Sequence, residues 1–324
     1  MKPRVFLTRR IPDVGIELLQ AKYEVDIWEG RLPPPREALL SRVRNVAGIL
    51  SLLSDFIDAE VMDAAGKSLK AIANFAVGYN NIDVVAAHAR AICVGNTPDV
   101  LTEATADVAV GLMLAAARRF QESMDEVRTL QWKTWEPLGL IGQDFTPQKT
   151  LGIVGMGRIG RVVAKRLYGG WGMRVIYTAR SAKPDIDEDF QAQHVTFEKL
   201  LAESDFVSIH TDLNPQTKHL FSHAQFKQMK PTAVIVNTSR GGVIDPIALE
   251  QALRERRIFA AGLDVTDPEP LPDDSSLRNL KACLILPHIG SATENARNQM
   301  ASMAANNLIA AISGRPMPHS VVLK

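Results

Sequence analysis

Apolar residues gather in short runs along this chain, separated by stretches with helical spacing of apolar and polar positions. The runs Arg4 to Thr8, Tyr23 to Trp28, Ala47 to Leu53, Leu69 to Phe75 and Ile92 to Gly95 predict strands. Strands alternating with helices predict a parallel sheet wound with helices, in which ligands bind beyond the carboxyl ends of the strands. A second series predicts a second α/β unit: Thr150 to Val154, Arg174 to Tyr177, Phe206 to His210, Ala233 to Asn237, Ala260 to Val265 and Cys283 to Leu286. No internal repeat, low-complexity tract or flexible linker interrupts either series.

Two helices add to this outline. Thr102 to Phe120 has Thr102 as its candidate N-cap, Glu103 in the first turn and Arg118-Arg119 in the last. It is apolar around much of its circumference, so it needs burial on more than one face, against a second subunit or between the two units. The final helix, Ala292 to Ser313, stops at Gly314 with Pro316 and Pro318 beyond, and on pattern alone either unit could claim it.

Composition excludes several classes of function. The 324 residues suffice for two domains, and 46% hydrophobic content is ordinary for a globular chain. With 37 Lys and Arg against 36 Asp and Glu, the net charge of +1 leaves no footprint for nucleic acid or an anionic membrane. The two cysteines, Cys93 and Cys283, have neither CxxC nor metal-ligand spacing, so no disulfide framework and no metal is expected. A reducing compartment fits, and the passage from Met1 straight into the strand-like Arg4 to Leu7, without a signal-peptide pattern, predicts a cytoplasmic protein. The most apolar helical stretch, Val108 to Ala117, is too short to span a bilayer.

Chemistry first shows itself at Gly155-Met156-Gly157-Arg158-Ile159-Gly160, between the strand-like Thr150 to Val154 and a helix-like run to Leu167. Gly155 permits a tight turn, Gly157 lets backbone approach a pyrophosphate and Gly160 allows close helix-to-strand packing. The helix N-terminus at Arg158 and Ile159 offers N–H groups to phosphate. The strand Arg174 to Tyr177 then ends in Thr178-Ala179-Arg180-Ser181-Ala182-Lys183, with no acid between Gly160 and Asp185. A carboxylate there would bind the ribose hydroxyl of NAD and repel the 2′-phosphate of NADP. Arg180, Ser181 and Lys183 instead suit that phosphate, so the site is expected to prefer NADPH, with NADH still usable.

Hydride transfer also needs a group to orient the substrate and an acid-base for its oxygen. Ala233 to Asn237 leads through Thr238-Ser239 to Arg240, whose guanidinium fork could clamp a carboxylate and a neighbouring carbonyl oxygen. Ala261 to Val265 runs into Thr266-Asp267-Pro268-Glu269-Pro270, and Ile285-Leu286-Pro287 leads to His288. Three consecutive strands of the unit that carries the glycine turn thus bring Arg240, Glu269 and His288 toward one sheet edge.

These residues resemble the D-isomer-specific 2-hydroxyacid dehydrogenases, most closely their glyoxylate/hydroxypyruvate reductase branch. The resemblance spans essentially the whole chain. It rests on Val77-Gly78-Tyr79-Asn80-Asn81-Ile82-Asp83, Pro98 to Glu103, the glycine turn, Asn237 to Gly241, Leu263 to Pro270 and Leu286 to Thr293. It implies a Rossmann NAD(P)-binding domain over 99–290 and a discontinuous, flavodoxin-like substrate domain over 1–98 plus 291–324. It further implies that Arg240, Glu269 and His288 are catalytic, that the amides of Val77 and Gly78 hold the substrate carboxylate, and that Thr238, Asp264 and Gly290 approach the nicotinamide. Asn80 stands where the family commonly has aspartate. In this branch a tryptophan from the partner of a homodimer reaches the substrate pocket, and Trp135 matches it best. The implied reaction is reduction of a small 2-oxo acid, glyoxylate or hydroxypyruvate, with His288 as proton donor. A D-3-phosphoglycerate dehydrogenase, a 2-ketogluconate reductase and a non-catalytic dinucleotide-sensing corepressor of the same fold stay open as alternatives.

Overall fold

Buried apolar runs leave their backbone hydrogen bonds to be made with one another, and here they pair as parallel ladders. The computed structural model describes residues 2–322. In it β1 (Arg4–Leu7), β2 (Glu24–Ile27), β3 (Gly48–Ser51), β4 (Ala71–Asn74) and β5 (Cys93–Gly95) form a five-stranded sheet in the order β2-β1-β3-β4-β5, the flavodoxin-like order. A seven-stranded sheet comprises β6 (Thr150–Val154), β7 (Arg174–Thr178), β8 (Gln193–His194), β9 (Phe206–Ile209), β10 (Val234–Asn237), β11 (Ala260–Leu263) and β12 (Cys283–Ile285). Its order, β12-β11-β10-β9-β6-β7-β8, is the Rossmann order extended by one strand. All its ladders are parallel, so every strand ends at the same edge.

The chain divides into two compact units, residues up to Leu101 with Ala292 onward, and Thr102–Ser291. In the second unit β6, β9, β10 and β11 are buried at every position. One apolar cluster includes Leu112, Met113, Val163 and Leu167, the other Leu200, Phe226, Leu249 and Leu253. The first unit has its own cluster, with Phe6, Ile49, Val61, Met62 and Ile72. The helix Glu294–Ile312 completes this unit: Thr293 caps it by accepting from the Ala296 N–H, and it packs on β3, β4, β5 and the helix Asp13–Gln20. The approach is close, since a Cβ on Gly15 would lie 2.7 Å from the Ala301 carbonyl oxygen.

The structure corrects the outline in two places. The apolar helix covers Thr102–Ala117, because Arg119 takes a left-handed backbone (φ 54) and starts a separate helix, Phe120–Arg128. Within its own unit it packs on the helix Arg158–Trp171 and on β10, β11 and β12. The second correction is β8, two exposed residues whose pattern carries no apolar run.

Candidate active site

The glycine turn is built as its spacing predicts. Gly155 sits at φ 98, and a Cβ there would strike the His210 carbonyl; a Cβ on Gly160 would strike the Gly155 carbonyl and lie 3.0 Å from Ile153 Cγ2. Gly157 differs, with open space where a Cβ would stand, at the N-cap of the helix Arg158–Trp171. No side chain caps that helix, and first-turn N–H groups have no intrahelical acceptor. At the end of β10 the Thr238 hydroxyl is buried without a partner among the described residues. Open space, an uncapped helix and an orphaned hydroxyl on one sheet edge fit a dinucleotide.

Beyond β7, Arg180 and Ser181 are exposed, and Arg180 has no hydrogen-bond or ion-pair partner among the described residues. Lys183 Nζ lies 3.4 Å from Ser181 Oγ, and its backbone N–H donates to the buried Tyr177 hydroxyl at 2.6 Å. Asp185, the first acid after the turn, is engaged by Arg161, which holds its carboxyl below the usual range.

Adjacent strands β10, β11 and β12 supply the other groups. Buried Asn237, the last residue of β10, shapes the turn that carries Arg240: its Oδ1 accepts from the Ser239 N–H at 3.0 Å and its Nδ2 donates to the Arg240 carbonyl at 2.9 Å. Gly241 then passes so close to the Thr266–Asp267 backbone that no Cβ would fit, which sets the Arg240 turn against the loop bearing Glu269. Burial pulls the half-buried Arg240 guanidinium below its ordinary pKa, opposed by the charges of Glu269 and Asp212. Glu269 Oε1 and His288 Nδ1 lie 2.5 Å apart. With Nδ1 engaged by the carboxylate, Nε2 is the ring atom left for other chemistry.

His288 itself has a left-handed backbone, φ 55. The following turn is gripped by Asp264, which is 1% exposed: Oδ1 accepts from the Ile289 N–H and Oδ2 from the Gly290 N–H, both at 2.7 Å. Burial raises the Asp264 pKa, while the two N–H groups oppose that shift. The Gly290 carbonyl accepts from Thr105 Oγ1 at 3.0 Å. Asp264 and Asn237 thus shape the turns that carry His288 and Arg240, a role that strand-end position alone does not disclose. Val77 and Gly78 follow β4 in the first unit and are half-buried, whereas Trp135 is 80% exposed in an irregular segment of the second.

Fold and site together define a class, an oxidoreductase that works with a nicotinamide dinucleotide. Comparison with known proteins narrows it. Residues 110–290 match the NAD-binding domain of the D-isomer-specific 2-hydroxyacid dehydrogenases. The chain is 47% identical to a glyoxylate reductase of Thermococcus litoralis, over 99% of this chain and 97% of that one. It is 45% identical to the human glyoxylate reductase/hydroxypyruvate reductase, over 99% and 98%. Among solved structures, a Thermus thermophilus protein superposes with a TM-score of 0.92 at 46% identity, over 98% of this chain and 100% of that one. The NADPH-dependent glyoxylate/hydroxypyruvate reductase of Sinorhizobium meliloti, solved with NADP and malonate, superposes at 0.85 with 30% identity, over 99% and 97%. The chain belongs to the D-isomer-specific 2-hydroxyacid dehydrogenase family, in its glyoxylate/hydroxypyruvate reductase branch.

Proposed function

We propose that this protein reduces glyoxylate or hydroxypyruvate to glycolate or D-glycerate, preferring NADPH to NADH. The observation that carries the reading is the 2.5 Å pairing of His288 Nδ1 with Glu269 Oε1, on the edge that also bears Arg240. Relatives named glyoxylate reductase, at 44–47% identity, support the substrate class.

A nicotinamide dinucleotide held at the glycine turn would supply the hydride. Arg240 orients the oxo acid, and its fixed positive charge polarises the carbonyl. Glu269 stabilises the imidazolium of His288 by accepting from Nδ1, and Nε2 gives its proton to the carbonyl oxygen as that oxygen gains charge. The family resemblance assigns the substrate carboxylate to the amides of Val77 and Gly78. Gly155 to Gly160 would hold the pyrophosphate, with Thr238, Asp264 and Gly290 toward the nicotinamide.

The cofactor preference is supported by Arg180, which has no partner among the described residues, by Ser181 and Lys183 beside it, and by the commitment of Asp185 to Arg161. One or two charge-assisted hydrogen bonds to a 2′-phosphate correspond to about a ten- to hundred-fold preference. We also read the protein as a cytoplasmic homodimer. Large apolar residues exposed between Phe120 and Ile141, Trp135 among them, support a partner, and two free cysteines suit a reducing compartment.

The reaction is tested by following reduced-nicotinamide absorbance with glyoxylate and hydroxypyruvate, each with NADPH and with NADH. Turnover should appear with both acids, faster with NADPH; a better rate with NADH overturns the role given to Arg180, Ser181 and Lys183. Reduction consumes a proton, so it should weaken as pH rises, while oxidation of the hydroxy acid improves. A wild-type reduction rate in His288→Ala, or an unchanged kcat/KM in Arg240→Ala, rejects the respective assignment.

A further inference from the structure

Three successive carbonyl groups in the turn after β4 are held by donors from inside the first unit. The Ala76 carbonyl accepts from the Thr97 N–H at 2.8 Å, the Val77 carbonyl from Asn96 Nδ2 at 2.7 Å and the Gly78 carbonyl from Asn74 Nδ2 at 2.8 Å. In a planar trans peptide the N–H points opposite to the C=O. Fixing these oxygens therefore turns the N–H groups of Val77, Gly78 and Tyr79 the other way, and none of the three donates to a partner among the described residues. Successive N–H groups presented together form a concave, partly positive nest suited to a carboxylate.

The two asparagines are themselves held in place. Asn74 Oδ1 accepts from Ser51 Oγ at 3.0 Å, and Asn74 Nδ2 also donates to Asn81 Oδ1 at 3.0 Å. Asn81 Nδ2 reaches the carbonyls of Leu52 and Asp55 at 2.9 and 3.0 Å. On the other side the Asn96 carbonyl accepts from Asn307 Nδ2 at 2.9 Å, and Asn307 Oδ1 accepts from the His319 N–H at 3.1 Å. Asn74 is 0% exposed and Asn96 half-buried, so deleting either donor leaves a partly sheltered carbonyl without its protein partner.

We infer that Asn74 and Asn96 are positioning residues that preset the Val77–Tyr79 turn as a three-donor carboxylate cradle, with the Tyr79 amide beside those of Val77 and Gly78. The inference rests on the reading that this turn receives the substrate carboxylate. Neither side chain contacts substrate in this scheme; each acts through the peptide it holds, so the turn pays no ordering cost when the acid arrives.

Two measurements test it. In wild-type protein labelled with 15N at valine, glycine and tyrosine and saturated with NADPH, titration with oxalate should move the Val77, Gly78 and Tyr79 amide signals together. Immobile Val77 and Gly78 signals reject the underlying reading and this inference with it; an immobile Tyr79 signal alone rejects the third donor. Asn74→Ala and Asn96→Ala should each raise KM for glyoxylate about ten-fold, with kcat and the NADPH dissociation constant nearly unchanged, since the carboxylate contact is equal in the bound and reacting states. An unchanged KM alongside shifting wild-type amides overturns the positioning role alone, and so does a loss shared equally by KM, kcat and NADPH binding. If an alanine variant does not fold, Asn74→Asp and Asn96→Asp retain the side-chain shape, turn donor into acceptor and give the same readout.

Discussion

His288 occupies a left-handed backbone conformation that costs a residue with a Cβ about 1–3 kcal/mol, and the two hydrogen bonds to Asp264 in the next two residues offset that cost. The clamp leaves no room at Gly290, where a Cβ would lie 2.9 Å from Asp264 Oδ2 and 3.3 Å from Thr105 Cγ2. Gly290→Ala is therefore expected to lose about 1–3 kcal/mol in chemical denaturation and to lower kcat/KM by moving His288. A variant with wild-type unfolding midpoint and rate would show that the turn has slack. A second residue-scale prediction concerns His210, whose Nδ1 is sealed from water without a partner among the described residues and whose pKa burial pushes down to about 3. The unfolded chain binds this proton near pH 6.5 and the folded chain does not. Stability present above about pH 6.5 is then lost as pH falls toward about 3, by on the order of 4 kcal/mol from this group. Melting temperatures across that range should fall less steeply in His210→Asn; parallel curves would exclude His210 as the cause. The strand-end groups Arg240, Glu269 and His288 were legible because each follows an apolar run. The grips of Asp264, Asn237, Asn74 and Asn96 were not, because a polar residue at or just past a strand end shows its position and not which peptide it holds.

At the scale of elements, the strands were the most legible feature, since parallel strands covered on both faces read as unbroken apolar runs. Gln193–His194 escaped because an edge pair with exposed side chains has no such signature. The end of the helix Thr102–Ala117 escaped for another reason. Arg118-Arg119 suits a last turn electrostatically, but Arg119 turns left-handed and redirects the chain into Phe120–Arg128. Past that helix runs the most apolar exposed stretch described, with Leu130 at 74%, Trp132 at 66%, Trp135 at 80% and Leu138 at 83% exposure. If a second copy covers it, Leu130→Ser combined with Leu138→Ser should convert dimers to monomers in sedimentation velocity at micromolar concentration. Wild-type protein that already sediments as a monomer would remove this role from the segment.

For the molecule as a whole, two units with separate apolar clusters were foreseeable from two series of strands, but the pattern could not say which unit owns the last helix. Packing decides it: Glu294–Ile312 covers β3, β4 and β5 and places Asn307 under Asn96. Chains halted on the ribosome once Ser291 has emerged should therefore show a protease-resistant second unit and a digestible first one. Equal resistance of both would mean that the first unit folds without its final helix. The order of folding thus opposes the order of synthesis. Residues 1–101 emerge before the second unit yet wait for Glu294–Ile312, which is made after it, with apolar strands uncovered in the interval, and the proposed cradle takes shape only after the second unit has been made.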